Sequence, residues 1–132
     1  MMDCIFCRVI SGELPSHTIF EDDKVIVFMS LENHPLVVPK LHIQDIFELD
    51  DEHAAAVMQT AVRVAKATKA ATGCDGITLS QANGAAAGQD VFHFHLHVKP
   101  RFWNDGVTVA WDMATVADSA RQELCRKIRH NL

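Results

Sequence analysis

From Val91 to Val98 the chain alternates apolar residues with three histidines, His93, His95 and His97. An extended strand sends successive side chains to opposite faces. The spacing therefore predicts a strand over about 91–99 with the three imidazoles on one face. Phe92, Phe94, Leu96 and Val98 then fill the other face and need a core to cover it. A neutral imidazole is a nucleophile, a proton carrier and a metal ligand near neutral pH. Spacing alone also fits a solvated histidine face or an incidental metal-binding cluster.

The flanks narrow the reading. Before the strand lies Asn83-Gly84-Ala85-Ala86-Ala87-Gly88-Gln89-Asp90, and after it Lys99-Pro100-Arg101. Glycines ahead of a strand permit a tight turn and a close approach of backbone N–H groups to an anion. The combination reads as a phosphate site beside a nucleophile.

The rest of the chain reads as mixed α and β structure in a single domain over 1–132. Lys24–Met29 is apolar and β-branched, as a buried strand would be, and Leu36-Val37-Val38 is a second strand stopped by Pro39. Residues from about 51 to 72 read as a helix capped by Asp50 and Asp51 and stopped by Gly73. Its apolar stripe of Ala54, Val57, Met58, Ala61, Val62 and Ala65 is expected to pack against the sheet or a second subunit. Ile77–Ser80 is a further strand, antiparallel to the histidine strand across the glycine-bearing turn. A closing helix is expected over about 116–129, with Val116, Ala120, Leu124 and Ile128 inward.

Length and composition fit one folded unit. A chain of 132 residues with 48% hydrophobic and 22% charged residues can bury a core. A net charge of -5 argues against a general nucleic-acid binder, though not against a local anion site. The N-terminus shows neither a bilayer-spanning apolar run nor a secretory pattern, so a cytoplasmic protein without a membrane partner is expected. Cys4 and Cys7 form a Cys-x-x-Cys pair, which by itself fits a redox motif, half of a zinc site or two free thiols. A tetrahedral site needs two further N or S ligands, for which His42 and His93 are candidates. Cys74 and Cys125 read as ordinary small side chains. His17, His34, His53 and His130 carry no motif and are expected to be solvated.

Asn83 to Arg101 resembles the signature of the histidine triad (HIT) superfamily, nucleotide hydrolases and transferases with His-x-His-x-His. The resemblance extends to Cys4–Ile10, Gly12–Ser16, Phe20–Asp23 and Leu36–His42, which are similar to bacterial HIT proteins in the same order. It implies an α+β fold, an antiparallel sheet with two main helices, paired as a homodimer. It implies a small nucleotide substrate cleaved at its α-phosphate, with His95 as the nucleophile that carries a nucleotidyl intermediate. His97 would donate a hydrogen bond to the α-phosphate, and backbone N–H groups around Gln89 and Asp90 would hold developing charge. It further implies a structural Zn²⁺ on Cys4, Cys7, His42 and His93, and no organic cofactor.

Phosphate and substrate contacts are expected from Asn83, Gly88, Gln89, Asp90 and Ser30, with an apolar base slot from Phe6, Val9, Phe28 and Leu31. Two positions depart from the family pattern. Ala82 stands where an amide usually contacts phosphate, and Ser30 where an aspartate usually grips the ribose. The segment from Ser30 to His34 is also shorter than usual. A nucleotide-binding or scaffold protein with little turnover is the alternative these departures support. A metal-dependent hydrolase with zinc on the triad fits less well, because alternate strand residues are about 6.6 Å apart and zinc bonds are about 2 Å.

Overall fold

The computed structural model describes residues 3–132. Strands β1 (Thr18–Glu21), β2 (Val25–Met29), β3 (Pro35–Pro39), β4 (Gly76–Ser80) and β5 (Leu96–Arg101) form one sheet in the order β1-β2-β3-β5-β4. Every neighbouring pair is antiparallel. Helices α1 (Ile5–Ile10), α2 (Asp51–Thr72) and α3 (Asp118–His130) complete the α+β arrangement that the sequence implies.

The sheet is covered on two sides, which explains the continuous apolar runs of β2 and β3. Val25, Val27 and Val37 face α2, whose Val57, Ala61 and Val64 close a core with Phe94, Leu96 and Val98. The alternate residues Ile26, Phe28, Leu36 and Val38 cluster with Phe6 of α1 on the opposite face. A one-residue slip of β2 against β3 would exchange these two sets. Between the strands the chain reverses tightly. Asn33 N–H donates to Ser30 O at 3.1 Å, Ser30 N–H donates to His34 O at 2.9 Å, and Asn33 has φ 65°. The short Ser30–His34 segment is therefore an ordered turn.

Helix α2 runs over the residues expected. Asp50 caps it by accepting from His53 N–H at 2.8 Å, and Gly73 ends it in the left-handed region. Its buried stripe is Val57, Thr60, Ala61, Val64 and Thr68. Met58 and Val62 of the expected stripe lie outside it, 51% and 45% exposed, because the helix presents a face centred one position further round.

Two expectations require correction. The strand does not extend over 91–99: residues 91–95 run irregularly, and β5 starts at Leu96. Its ladder to β3 holds only Leu36 with His97 and Val37 with Leu96. The cause is His93, which is drawn out of strand geometry into a fully buried position. Alternation nonetheless survives for Phe94, Leu96 and Val98, which all enter the α2 core, whereas Phe92 is 45% exposed. The closing helix forms close to its expected place but is not turned inward. It buries no residue, and Val116, Leu124 and Ile128 are each more than half exposed.

Phe94→Ala is expected to destabilise the protein by about 3–5 kcal/mol, the usual cost of emptying a buried aromatic site. Phe92→Ala should cost below about 1 kcal/mol. Urea midpoints of the two variants decide this, and equal losses would contradict the inside–outside assignment of the two rings.

Candidate functional site

Helix α1 opens on the Cys-x-x-Cys pair. Cys4 is its N-cap, and its thiol accepts from Cys7 N–H at 3.4 Å. One turn of helix thus places both sulfurs on one side, facing His42 just beyond β3 and His93. Cys7 Sγ lies 3.3 Å from His42 Nδ1 and 3.6 Å from His93 Nδ1, and Cys4 Sγ lies 3.4 Å from His93 Nδ1. All four ligand atoms fall within 4.8 Å of one another. A tetrahedral zinc with bonds of about 2.3 Å to sulfur and about 2.0 Å to nitrogen sets S···N edges of about 3.6 Å. The donor set and its spacing therefore fit such an ion. His93 Nε2–H donates to Pro39 O at 2.8 Å, which leaves the Nδ1 lone pair aimed at the thiols. Burial and the neighbouring Cys4 sulfur raise the Cys7 thiol to about 11.

Beside this cluster is a cavity of about 540 Å³ on the α1 face of the sheet. Its inner wall is apolar, from Ile5, Phe6, Val9, Leu14, Phe28 and Leu36, while His95, His97, Ser30, Glu32 and Asp90 supply the polar part. His95 Nδ1 is 2.7 Å from His93 O. A carbonyl only accepts, so His95 carries its proton on Nδ1 and leaves Nε2 as a free lone pair in the neutral ring. That Nε2 lies 3.9 Å from Asp90 Oδ1. The Phe6 and His95 rings stand nearly perpendicular with centroids 5.0 Å apart, which helps fix the imidazole plane.

His97 is held by a residue expected to be solvated. His34 is buried, and its Nε2 lies 2.8 Å from His97 Nδ1. Its Nδ1 is buried without a partner among the described residues. Burial, with Lys99 as a second cause, lowers the His34 pKa; burial, with His95 and His34, lowers that of His97. Both rings are thus kept neutral. The parity of β3 carried the missed signal: His34 is two residues before Leu36, on the face that looks into the cavity.

The glycine-bearing loop uses its side chains internally. Gly84 N–H donates to Gln89 Oε1 at 2.7 Å, and Gln89 Nε2–H donates to Gln44 O at 2.8 Å. Asn83 Oδ1 accepts from Ile46 N–H at 2.7 Å, and its amide pairs with Gln81. Gly88 turns the chain with φ 93°. Neither Asn83, Gly88 nor Gln89 lines the cavity, while Asp90 does. The four base-slot residues expected from sequence divide: Phe6, Val9 and Phe28 form the inner wall, and Leu31 sits fully exposed at the mouth. His93 serves the sulfur cluster and is absent from the cavity lining. Leu14 and Pro15 join the lining from the Gly12–Ser16 motif, to which the resemblance assigns no role, and His17 and Glu32 join it without any motif to announce them.

Residues 11–104 match the HIT domain family. The Bacillus subtilis protein hit is 34% identical over 98% of this chain and 92% of its own. An adenylylsulfatase of Arabidopsis thaliana, HINT3, is 38% identical over 75% of this chain and 52% of its own length. The crystal structure of a HIT family protein from Bacillus anthracis superposes with a TM-score of 0.93 at 36% identity, covering 98% of this chain and 97% of the other. A zinc-bound histidine triad family protein from Mycobacterium smegmatis superposes with a TM-score of 0.76 at 33% identity, over 86% and 85% of the two chains. The extent of these matches, together with the His93-x-His95-x-His97 row that runs from the sulfur cluster into the cavity wall, makes this chain a member of the HIT family.

Proposed function

We propose that the protein is a nucleotide hydrolase or nucleotidyl transferase that works through His95. The observation that carries this reading is the hydrogen bond from His95 Nδ1 to His93 O, which frees Nε2 beside the cavity. Nε2 attacks the α-phosphorus, an N–P bond forms, and the bond from phosphorus to the leaving nitrogen or oxygen breaks. The leaving group departs with the electron pair and takes up a proton. Water or an acceptor then attacks the nucleotidyl-His95, breaking the N–P bond and returning the electron pair to Nε2. Two easier steps replace one hard displacement. Asp90, 3.9 Å away, compensates the positive charge that His95 acquires in the intermediate.

His34 sets the role of His97. If His34 Nε2–H donates, His97 Nδ1 accepts and His97 Nε2–H is available to a phosphate oxygen. The reverse arrangement would leave a buried N–H of His34 unpaired, which is rarer in proteins than an unpaired acceptor. Among the described residues no lysine or arginine lines the cavity, while Asp90 and Glu32 do. Neutral donors and two carboxylates suit a substrate with little charge, such as a nucleoside phosphoramidate, over a polyphosphate. The related Arabidopsis adenylylsulfatase supports a substrate in which an adenylyl group is joined to a single small acid. The base would enter the apolar wall at Phe6, Val9 and Phe28. A nucleotide-binding protein with little turnover is the competing reading, and Ala82 and Ser30 are what favours it.

Cys4, Cys7, His42 and His93 would hold a structural Zn²⁺, which the zinc-bound relative supports. Bound there, the ion supplies a cross-link between α1, the end of β3 and the triad segment. The four residues position the His93 carbonyl and through it His95. Reduced thiols at this site suit a cytoplasmic location.

His95→Ala should lower kcat/KM on an adenosine phosphoramidate by at least about a thousandfold while AMP still binds. Acid-quenched wild-type protein, and not the variant, should show a nucleotidyl adduct by intact mass. Undiminished turnover in the variant would remove His95 from the chemistry. Purified protein should contain one zinc per chain, and Cys7→Ser should lose it and melt roughly 5–10 °C lower. A variant that lacks metal yet melts with the wild type would refute a structural ion. Protonation of His34 and His97 is disfavoured in the fold, so their contribution is intact above about pH 6.5 and is lost as pH falls below it. The urea midpoint of wild type should accordingly drop more steeply between pH 7.5 and pH 5.5 than that of His34→Gln, by up to about one proton's slope. Parallel profiles would show that His34 takes up its proton freely in the fold.

A further inference from the structure

Cys4 and Cys7 carry a chemistry that hydrolysis at phosphorus does not use. Both are free and half-buried, within reach of a small oxidant, whereas Cys74 is buried. Cys7 N–H donates to Cys4 Sγ at 3.4 Å, which holds the two sulfurs on the same side of α1. The two residues between them are part of the cavity. Ile5 and Phe6 line it, and the Phe6 ring centroid stands 5.4 Å from that of Phe28, 6.0 Å from His93 and 5.0 Å from His95. The same sulfurs face the fully buried His93, whose Nδ1 lies 3.4 Å from Cys4 Sγ and 3.6 Å from Cys7 Sγ. A change in bonding between the two cysteines therefore acts on the cavity wall from one side and on His93 from the other.

We propose that Cys4 and Cys7 are a modification site for hydroperoxides, and that closure of a disulfide between them opens the metal cluster and disorganises the cavity at His95. The inference rests on the zinc-holding cluster proposed above. A thiol that ligates zinc is deprotonated outright, so the cluster supplies both sulfurs as thiolates. One thiolate attacks a peroxide oxygen, the O–O bond breaks, and a sulfenic acid and hydroxide form. The second thiolate attacks that sulfur, an S–S bond forms, and the sulfenic oxygen leaves as hydroxide. The two sulfurs together give up two electrons, and the two peroxide oxygens take them up. Two thiolates on one tetrahedral zinc stand about 3.8 Å apart, and a disulfide bond is about 2.05 Å long. Oxidation thus draws the sulfurs together by roughly 1.7 Å, which displaces the Ile5–Phe6 turn between them. It also leaves only His42 and His93 as donors, too few for a structural ion. His93 Nδ1 loses its sulfur partners in a buried setting, a cost that its segment relieves by moving. That movement reaches His95, whose Nδ1–H donates to His93 O. A dithiol reductant returns both thiols by exchange.

Treatment of the purified full chain with a few equivalents of hydrogen peroxide tests this. The Cys125→Ser variant is used, because the exposed Cys125 would otherwise form adducts of its own. Three readouts are followed together: zinc released to a chromogenic chelator, the non-reducing mass of the tryptic peptide 1–8, which ends at Arg8 and holds both cysteines, and the imidazole ¹⁵N spectrum. The expected result is one zinc released per chain, a peptide lighter by two hydrogens, and loss of the Nδ1–H signature of His95. Dithiothreitol followed by zinc should restore all three. Zinc-loaded protein whose peptide 1–8 keeps its thiols, or gains oxygen without a disulfide, overturns this inference alone. So does a disulfide that forms while the His95 spectrum stays unchanged. Protein purified without zinc overturns the structural ion and this inference with it.

Discussion

His93 is bonded at three points, and the rest of the site depends on all of them. Its Nε2 donates to Pro39 O, its Nδ1 faces two thiols, and its carbonyl accepts from His95. The first bond ties the segment before β5 to the end of β3. The second ties it to α1. The third selects the tautomer of the neighbouring ring. A fully buried imidazole costs a great deal unless its polar atoms are paired, and here each pairing connects a different element. That is why the chain gives up strand hydrogen bonds over 91–95. The backbone must bend to bring one ring down between α1 and β3.

The bend also divides the three histidines by task. Regular alternation would place all three on one surface, in the same environment. Instead His93 enters the sulfur cluster, while His95 and His97 line the cavity. Phe6 stands at the boundary, with its ring 6.0 Å from His93 and 5.0 Å from His95. It belongs to the core on the α1 face and to the cavity wall at once. Packing in that small core therefore fixes the orientation of both histidines. A change in the sulfur cluster would reach His95 through a carbonyl and a phenyl ring, with no need for a longer path.

What the sequence revealed depended on how local the cause was. Helix α2 could be bounded at both ends, since Asp50 and Gly73 act within a few residues of their own positions. Strands β2 and β3 were legible from unbroken apolar runs, which two-sided burial explains. Donor chemistry could name His42 and His93 as candidates beside Cys4 and Cys7, but only a family resemblance singled out the full set, because its members come from three separate segments. The start of β5 was misplaced for the same reason: what ends the strand is Pro39, more than fifty residues away. The stripe on α3 was visible, but periodicity shows that a face is apolar and not what covers it.

His34 shows the limit most clearly. Its one signal in the sequence is its parity with Leu36, two residues on, which no motif reinforces. Its burial follows from the tight reversal at Ser30–Asn33, where Ser30 Oγ accepts from His34 N–H at 3.2 Å. The same reversal places Ser30 and Glu32 at the cavity mouth. A longer connection would let the chain supply these groups separately, each adjustable on its own. In this protein one turn of four residues sets the ring that supports His97 and the polar rim a substrate must pass. Any change that lengthens the turn alters both together, so the geometry at phosphorus and the selectivity at the mouth are bound to vary as a unit.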